Sequence, residues 1–331
     1  MKLAYILQRI VQAAVILFVI ITLNFCLVRG MPGDPMLNIL GESDYHLLLA
    51  NAPDTLEELR AYYGLEKSLL DQYWTYLKDT SRLNFGYSFH VGRPVTEIVF
   101  YHAKWSFLLV FPAILIAAPL GGRLGLRAGW KPGGKFDAVM TPIFLFINSI
   151  PSNCLAIVLL MVLAYKARLF PLSGMVSGGN LTGMSRILSI IWHMVLPVSM
   201  LTAYRTASNF LLMKSTVSQI RQEEYITTAF SKGLLQHEVL NRHVLINALP
   251  PFITAICMQF GYIISGAMFV EVVFSWRGMG SLIYASVGSK DYPILQFCFL
   301  LISFCVILSN MLADILYVII DPRIKGWGEH E

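Results

Sequence analysis

Six blocks of apolar residues, each long enough to form a membrane-crossing helix, constrain this chain more than any motif in it. They run Ile10–Val28, Trp105–Leu126, Phe136–Tyr165, Ile190–Met213, Phe252–Val273 and Ile294–Ile320. About 20 apolar residues, rising 1.5 Å each, cover the roughly 30 Å hydrocarbon core of a bilayer. Only 14% of the residues are charged, against roughly 25% in a soluble chain. Lipid offers no partner for a backbone N–H or C=O, so such blocks must be helical. The expected fold class is therefore an all-α membrane protein with six transmembrane helices. Pro112, Pro119, Pro142, Pro151 and Pro197, with Gly261 and Gly266, fall inside the blocks. Neighbouring helices in a bundle re-satisfy the backbone groups these residues free.

Charge sets the expected orientation. The segments holding Lys2 and Arg9, then Arg123, Arg127, Lys131 and Lys135, then Lys214, Arg221, Lys232 and Arg242, then Arg323 and Lys325 carry twelve basic residues. The short alternate loops carry five: Lys166, Arg168, Arg186, Arg277 and Lys290. The positive-inside rule then places both termini in the cytoplasm. Lys2 and Arg9 precede an apolar run too long for a signal-peptide core, with no A-x-A site after it, so the first block reads as an uncleaved span. The net charge of +5 is spread over loops flanking the spans, with no Lys/Arg run or aromatic-basic groove for nucleic acid. The five cysteines lie in or beside apolar blocks and form no C-x-x-C pair, so they read as small apolar side chains.

The chain divides into residues 1–28 (cytoplasmic end and first span), an outer loop 29–104, a core of five spans 105–320, and a tail 321–331. A cytoplasmic loop, 214–251, lies within the core. The outer loop is patterned: Asp54 as N-cap with Glu57 three residues on reads as a capped helix start, Gly64 breaks the run, and Leu69–Leu77 is amphipathic. A small helical subdomain outside the membrane is expected.

Two near-motifs do not carry enzyme chemistry. Gly129–Phe136 almost spells a phosphate loop, but Phe136 stands where the magnesium-binding hydroxyl belongs and a membrane block precedes it. His237-Glu238 opens like a zinc-protease motif, but Asn241 replaces the second histidine. No catalytic residue and no metal ligand is assigned, and no cofactor is expected on this chain.

The specific signal is the loop between the fourth and fifth spans. Glu223 and Glu224 start a short helix where its dipole favours acids, Lys232 lies near its end, and Gly233 suits the left-handed position that terminates it. A second short helix follows, and Pro250-Pro251 leads back into the membrane. This loop resembles the coupling loop of ABC importer permeases of the dipeptide/oligopeptide/nickel family. The matching positions are Tyr225, Thr228, Ala229, Lys232, Gly233, Leu234, Asn247, Ala248, Leu249 and Pro251. Thr227 stands where the family usually has a basic residue. Further matches are Pro32-Gly33-Asp34-Pro35, Gly64–Lys67 with Gln72-Tyr73-Trp74, Phe85–Phe89 with Gly92–Val95, Glu271–Gly280, Asp291-Tyr292-Pro293, Asp314–Tyr317 and Asp321–Ile324. Arg277 replaces a usual proline. The resemblance covers nearly the whole chain.

The resemblance implies a type I ABC importer permease subunit in a bacterial inner membrane, half of a pathway for short peptides. Its implied partners are a homologous second permease, two ABC ATPases that bind ATP and magnesium, and an extracytoplasmic binding protein. Glu224, Tyr225, Thr227, Thr228, Ala229, Lys232, Gly233 and Leu234 are the implied ATPase-coupling residues. Arg205, an intramembrane cation, with Glu271 and Trp276, is a candidate for the pathway or its gate. Asp314 reads as a helix-packing residue, and Glu271 fits a gate or plain capping equally. Uptake of nickel or a metal chelate is the alternative within the family. A secondary transporter or channel without an ATPase is the alternative outside it, and would be expected to show inverted repeats and broken helices in matching halves.

Overall fold

A computed structural model describes residues 2–29, 35–62, 67–88, 90–178, 181–263 and 267–320. The Pro32-Gly33-Asp34 part of the first matching stretch, Gly64, Leu65, Glu66, Phe89, Gly266 and the tail 321–331 lie outside those residues. Among the described residues, five helices are long and apolar enough to cross a membrane, and a sharply bent pair makes a sixth.

In chain order, α1 (Lys2–Arg29) is followed by four short helices, α2 (Pro35–Leu40), α3 (Glu42–Asn51), α4 (Pro53–Tyr62) and α5 (Leu69–Ser81). Strands β1 (Tyr87–Ser88) and β2 (Arg93–Pro94) pair antiparallel, with Ser88 opposite Arg93. Then come α6 (Val95–Trp130), α7 (Lys135–Ser149), α8 (Ser152–Leu159) with a π-helical continuation Leu160–Lys166, and α9 (Gly183–Ile220). The chain ends with α10 (Glu224–Ser231), α11 (Gln236–Val239), a π-turn Leu240–Val244, α12 (Leu245–Gly261), α13 (Met268–Val273), α14 (Met279–Gly288) and α15 (Tyr292–Ile320).

Several sequence expectations change here. The second and fourth spans grow to 36 and 38 residues, about 54 and 57 Å long, because α6 and α9 continue past the hydrocarbon. The third is not one helix: α7 and α8 meet at 99° around Ile150-Pro151, since proline disfavours a helical residue before it and lacks an N–H. The fifth begins at Gln236 and ends at Gly261, and Glu271 belongs to the separate helix α13. Pro250 and Pro251 lie inside α12 rather than at its entry. Asp54 is inside the first turn of α4, not its N-cap. The capped start sits instead at α5, where Ser68 accepts the Asp71 N–H at 3.2 Å.

The central packing is α6 against α9. Gly121, Gly125 and Gly129 form a stripe along α6 at four-residue spacing. A Cβ on Gly121 would lie 2.6 Å from Asn209 Cβ, one on Gly125 2.6 Å from the Phe210 carbonyl, and one on Gly129 2.6 Å from the Lys214 carbonyl. Small residues on this spacing let two backbones approach, which is how membrane helices gain packing without a hydrophobic drive. Gly125→Ala is therefore expected to cost about 1–3 kcal/mol through overpacking. The matched change at Gly178, with nothing within 4 Å, should cost nothing measurable. Thermal unfolding in detergent checks this, and equal melting points for both variants would refute it.

The α1–α15 pair flanks this core, joined by Arg9 Nε to Asp314 at 3.3 Å and by Asn24 Nδ2 to the Gln296 carbonyl at 2.9 Å. Asp314 thus packs one helix on another. At the opposite end of α1, Thr22 meets the Tyr73 hydroxyl at 2.7 Å and Phe25 packs on Tyr73 and Tyr76, so α5 caps the bundle. The β-hairpin closes beside it through Ser88 Oγ, which donates to buried Asp291.

Candidate functional site

The loop singled out in the sequence folds as a compact knob at the end of the bundle where α6 and α9 finish. Ile226 and Ala229 of α10 are buried with Met213 and Val217 of α9 and with Val239, Val244, Ala248 and Phe252. That inward stripe fixes α10 and leaves Glu224, Tyr225, Thr227, Thr228, Phe230, Lys232 and Gly233 exposed. Gly233 has φ +80°. Its N–H donates to the Phe230 carbonyl at 2.9 Å and the Leu234 N–H to the Ala229 carbonyl at 3.4 Å. This is the Schellman pattern, in which Leu234 turns inward as the accompanying apolar contact. Nothing lies within 4 Å of a Cβ at Gly233, so the glycine serves backbone conformation alone.

Four contacts brace the knob. Asn247 Nδ2 donates to the Tyr225 hydroxyl at 3.2 Å and to the His243 carbonyl at 2.6 Å. Trp130, the last residue of α6, stacks on Phe230 with centroids 6.2 Å apart. Glu238 accepts the Leu235 N–H at 3.1 Å and so starts α11. That is the part played by the acid of the abortive zinc motif. The second helix is not free-standing, since α11 runs through the π-turn directly into α12. A rigid knob exposing Tyr225, Phe230 and Leu235 has the character of a protein-docking surface, where aromatic anchors carry most of the energy.

The near-phosphate loop is closed on itself. Asp137 accepts the Gly133 N–H at 2.9 Å and the Thr141 hydroxyl at 2.6 Å, and pairs with Lys214 at 2.6 Å. An acid therefore holds the N–H that a phosphate would need, and the turn pins α7 to α9.

Glu271 and Trp276 lie in a second buried cluster. Ser106 Oγ donates to Glu271, whose other oxygen accepts the N–H groups of Gly280 at 2.7 Å and Ser281 at 3.1 Å. The Met279 N–H donates to Ser106 Oγ at 2.7 Å. A carboxylate from α13 and a hydroxyl from α6 thus cap α14. Trp276 donates its ring N–H to the Trp105 carbonyl at 3.0 Å and packs edge-on against that ring. Both residues are fully enclosed, Glu271 at 0% and Trp276 at 1% exposure.

Arg205 is elsewhere. It lines a cavity of about 180 Å³ with Ser152, Leu201, Tyr204, Ser208, Gln259 and Val270. Nη1 reaches Gln259 Oε1 at 3.4 Å, and Gln259 Nε2 donates to Asn209 Oδ1 at 2.7 Å. The three pathway candidates therefore fall into two places, not one. Gln259, Tyr204 and Ser208 escaped the sequence reading, although a glutamine in mid-span is a visible signal. The glycine stripe of α6 was equally visible in its four-residue spacing.

Residues 121–326 match the family described as binding-protein-dependent transport system inner membrane component, and residues 2–102 match its N-terminal membrane component family. The dipeptide transport system permease protein of Escherichia coli (strain K12) is 30% identical, covering 98% of this chain and 99% of its own. A probable peptide ABC transporter permease protein of Sinorhizobium fredii is 29% identical over 97% of this chain and 99% of its own.

Proposed function

Because the chain belongs to the family of binding-protein-dependent transport system inner membrane components, we propose that it forms half of the pathway of an ATP-driven importer of short peptides. The observation that carries this is the α10 knob, buried on one side and aromatic on the other. It has the form of an element that seats in a groove on a separate ATPase. The distribution of Lys and Arg supports a cytoplasmic position for that knob and for both termini. ATP and magnesium would then be bound and used by the partner. A rocking of α10 as two ATPases close would pass through α9 and α12, which share its apolar cluster, and reorient the bundle between two states. A homologous second permease would complete the pathway and an external binding protein would deliver cargo. The peptide names of the relatives support the cargo class.

The test is reconstitution in liposomes with the second permease, the ATPases and the binding protein. Uptake of labelled dialanine should require ATP on the α10 side and stop when any partner is omitted. Uptake by this chain alone, driven by an ion gradient, would overturn the proposal.

A further inference from the structure

We infer that the cavity around Arg205 is a carboxylate-binding subsite on the translocation path, an inference that rests on the peptide-importer reading above. Position is the first argument. Arg205 lies about 14 Å along α9 from Lys214, the nearest basic residue towards the α10 end, with only uncharged residues between. An intramembrane cation of this kind faces a cavity or a partner. Here it faces a cavity, and among the described residues no acid pairs with it. Among the described residues, Nε is buried without a hydrogen-bond acceptor, and the guanidinium's one hydrogen bond is the 3.4 Å approach of Nη1 to Gln259 Oε1. A half-buried guanidinium whose Nε lacks an acceptor favours a planar, bidentate acceptor such as a carboxylate.

The second argument is what else lines the space. Ser152 is the first residue of α8, whose N-terminus has Pro151 as its cap residue and receives no side-chain cap. The partial positive charge of that helix end therefore acts on the same cavity as Arg205. Tyr204 and Ser208 add hydroxyls, and Gln259 is held in place by Asn209. Among the described residues, none that lines the cavity is acidic. All the fixed charge in this cavity favours an anion.

Third, the cavity lies where two membrane elements are interrupted. Ser152 follows the 99° bend between α7 and α8, and Val270 belongs to α13, beyond the break that ends α12. In secondary transporters discontinuous helices form the cargo site because freed backbone dipoles point inward there, and the same dipole argument applies to an interruption beside a cavity in this bundle. On α9 the cavity residues Leu201, Tyr204, Arg205 and Ser208 occupy a different face from Thr206, Asn209, Phe210 and Met213, which pack on α6. The arginine is thus free of the helix–helix seam. About 180 Å³ suits one end of a small peptide, so the remainder would extend along the path.

The test uses the assembled transporter with the five cysteines replaced by alanine and Ser208→Cys added. Labelling rates are measured with an anionic (sulfonatoethyl) and a cationic (trimethylammonioethyl) methanethiosulfonate. The anionic reagent should react at least fivefold faster, Arg205→Lys should keep that preference, and Arg205→Gln should abolish or invert it. Millimolar dialanine should slow the anionic reaction more than alanyl-alaninamide does. A cysteine at 208 that reacts with neither reagent, or a preference unchanged in Arg205→Gln, would overturn the subsite. If the preference holds while the transporter takes up no dialanine, the peptide reading falls and the carboxylate subsite stands.

Discussion

Replacing Thr227, Thr228 and Leu235 together by glutamate is expected to weaken capture of the ATPase at least a hundredfold, about 2.7 kcal/mol, while the permease stays folded. These side chains lie on the outward face of the knob, and Leu235 is 61% exposed. None belongs to the cluster of Ile226 and Ala229 that holds α10 in place. A carboxylate buried at the centre of an interface pays its desolvation without a matching partner. Three close together, beside Glu223 and Glu224, would add mutual repulsion. Gly233→Val separates shape from chemistry. It leaves the docking side chains intact but forces a β-branched residue to φ +80°, at a cost of about 1–2 kcal/mol, so an intermediate loss is expected. Ile226→Asp should fail for a different reason, by destabilising the permease itself. Affinity is read by surface-immobilised permease binding the ATPase, and folding by the melting point. Full ATPase capture by the triple glutamate variant would remove α10 as the docking element.

What was legible in the sequence follows from which physics acts locally. The six apolar blocks appear as membrane elements because lipid thickness sets their length independently of any neighbour. The αL turn at Gly233 was legible for the same reason: a Schellman cap is decided by residues within one turn. The bend at Ile150-Pro151 was signalled by its proline, yet proline also sits inside α6 at Pro112 and Pro119 without breaking it. Whether such a residue kinks or breaks a helix depends on which neighbours satisfy the freed carbonyls, and those are set by tertiary packing. The end of α12 at Gly261 was missed because the sequence stays mostly apolar from Phe252 to Val270, with only single polar residues and glycines between, and mean hydropathy does not register a break. Arg205 was recognised by its chemistry alone. That it faces Gln259 and the start of α8, rather than Glu271, depends on residues 54 and 53 positions away in the chain. The same holds for the α14 cap, assembled from Ser106 and Glu271 across a separation of 165 residues.

Glu271 offers the sharpest choice between a structural and a gating part. Its carboxylate and Ser106 together accept from three consecutive N–H groups, those of Met279, Gly280 and Ser281, at the start of α14. Glu271→Ala would leave the buried Gly280 donor and the half-buried Ser281 donor without an acceptor and would orphan Ser106. Each buried unsatisfied group costs about 1–3 kcal/mol, so a total of about 3–6 kcal/mol is expected, which in a chain of 331 residues lowers the melting point by roughly 4–9 °C. Glu271→Gln keeps an acceptor oxygen for the α14 donors and loses only the charge, so it should fall between Glu271→Ala and the parent. Ser106→Ala removes one link and should cost less than Glu271→Ala. Gly278 belongs to the same construction, since a Cβ there would collide with the Glu271 carboxyl group. Gly278→Ala should therefore reproduce much of the Glu271→Ala loss without touching the charge. This ordering of melting points, with transport falling in step, is what a cap predicts. A gate predicts a different result: Glu271→Ala would melt like the parent while uptake stopped, and Gly278→Ala would leave uptake intact. The enclosure of the carboxylate, at 0% exposure, and its engagement by α14 favour the first ordering.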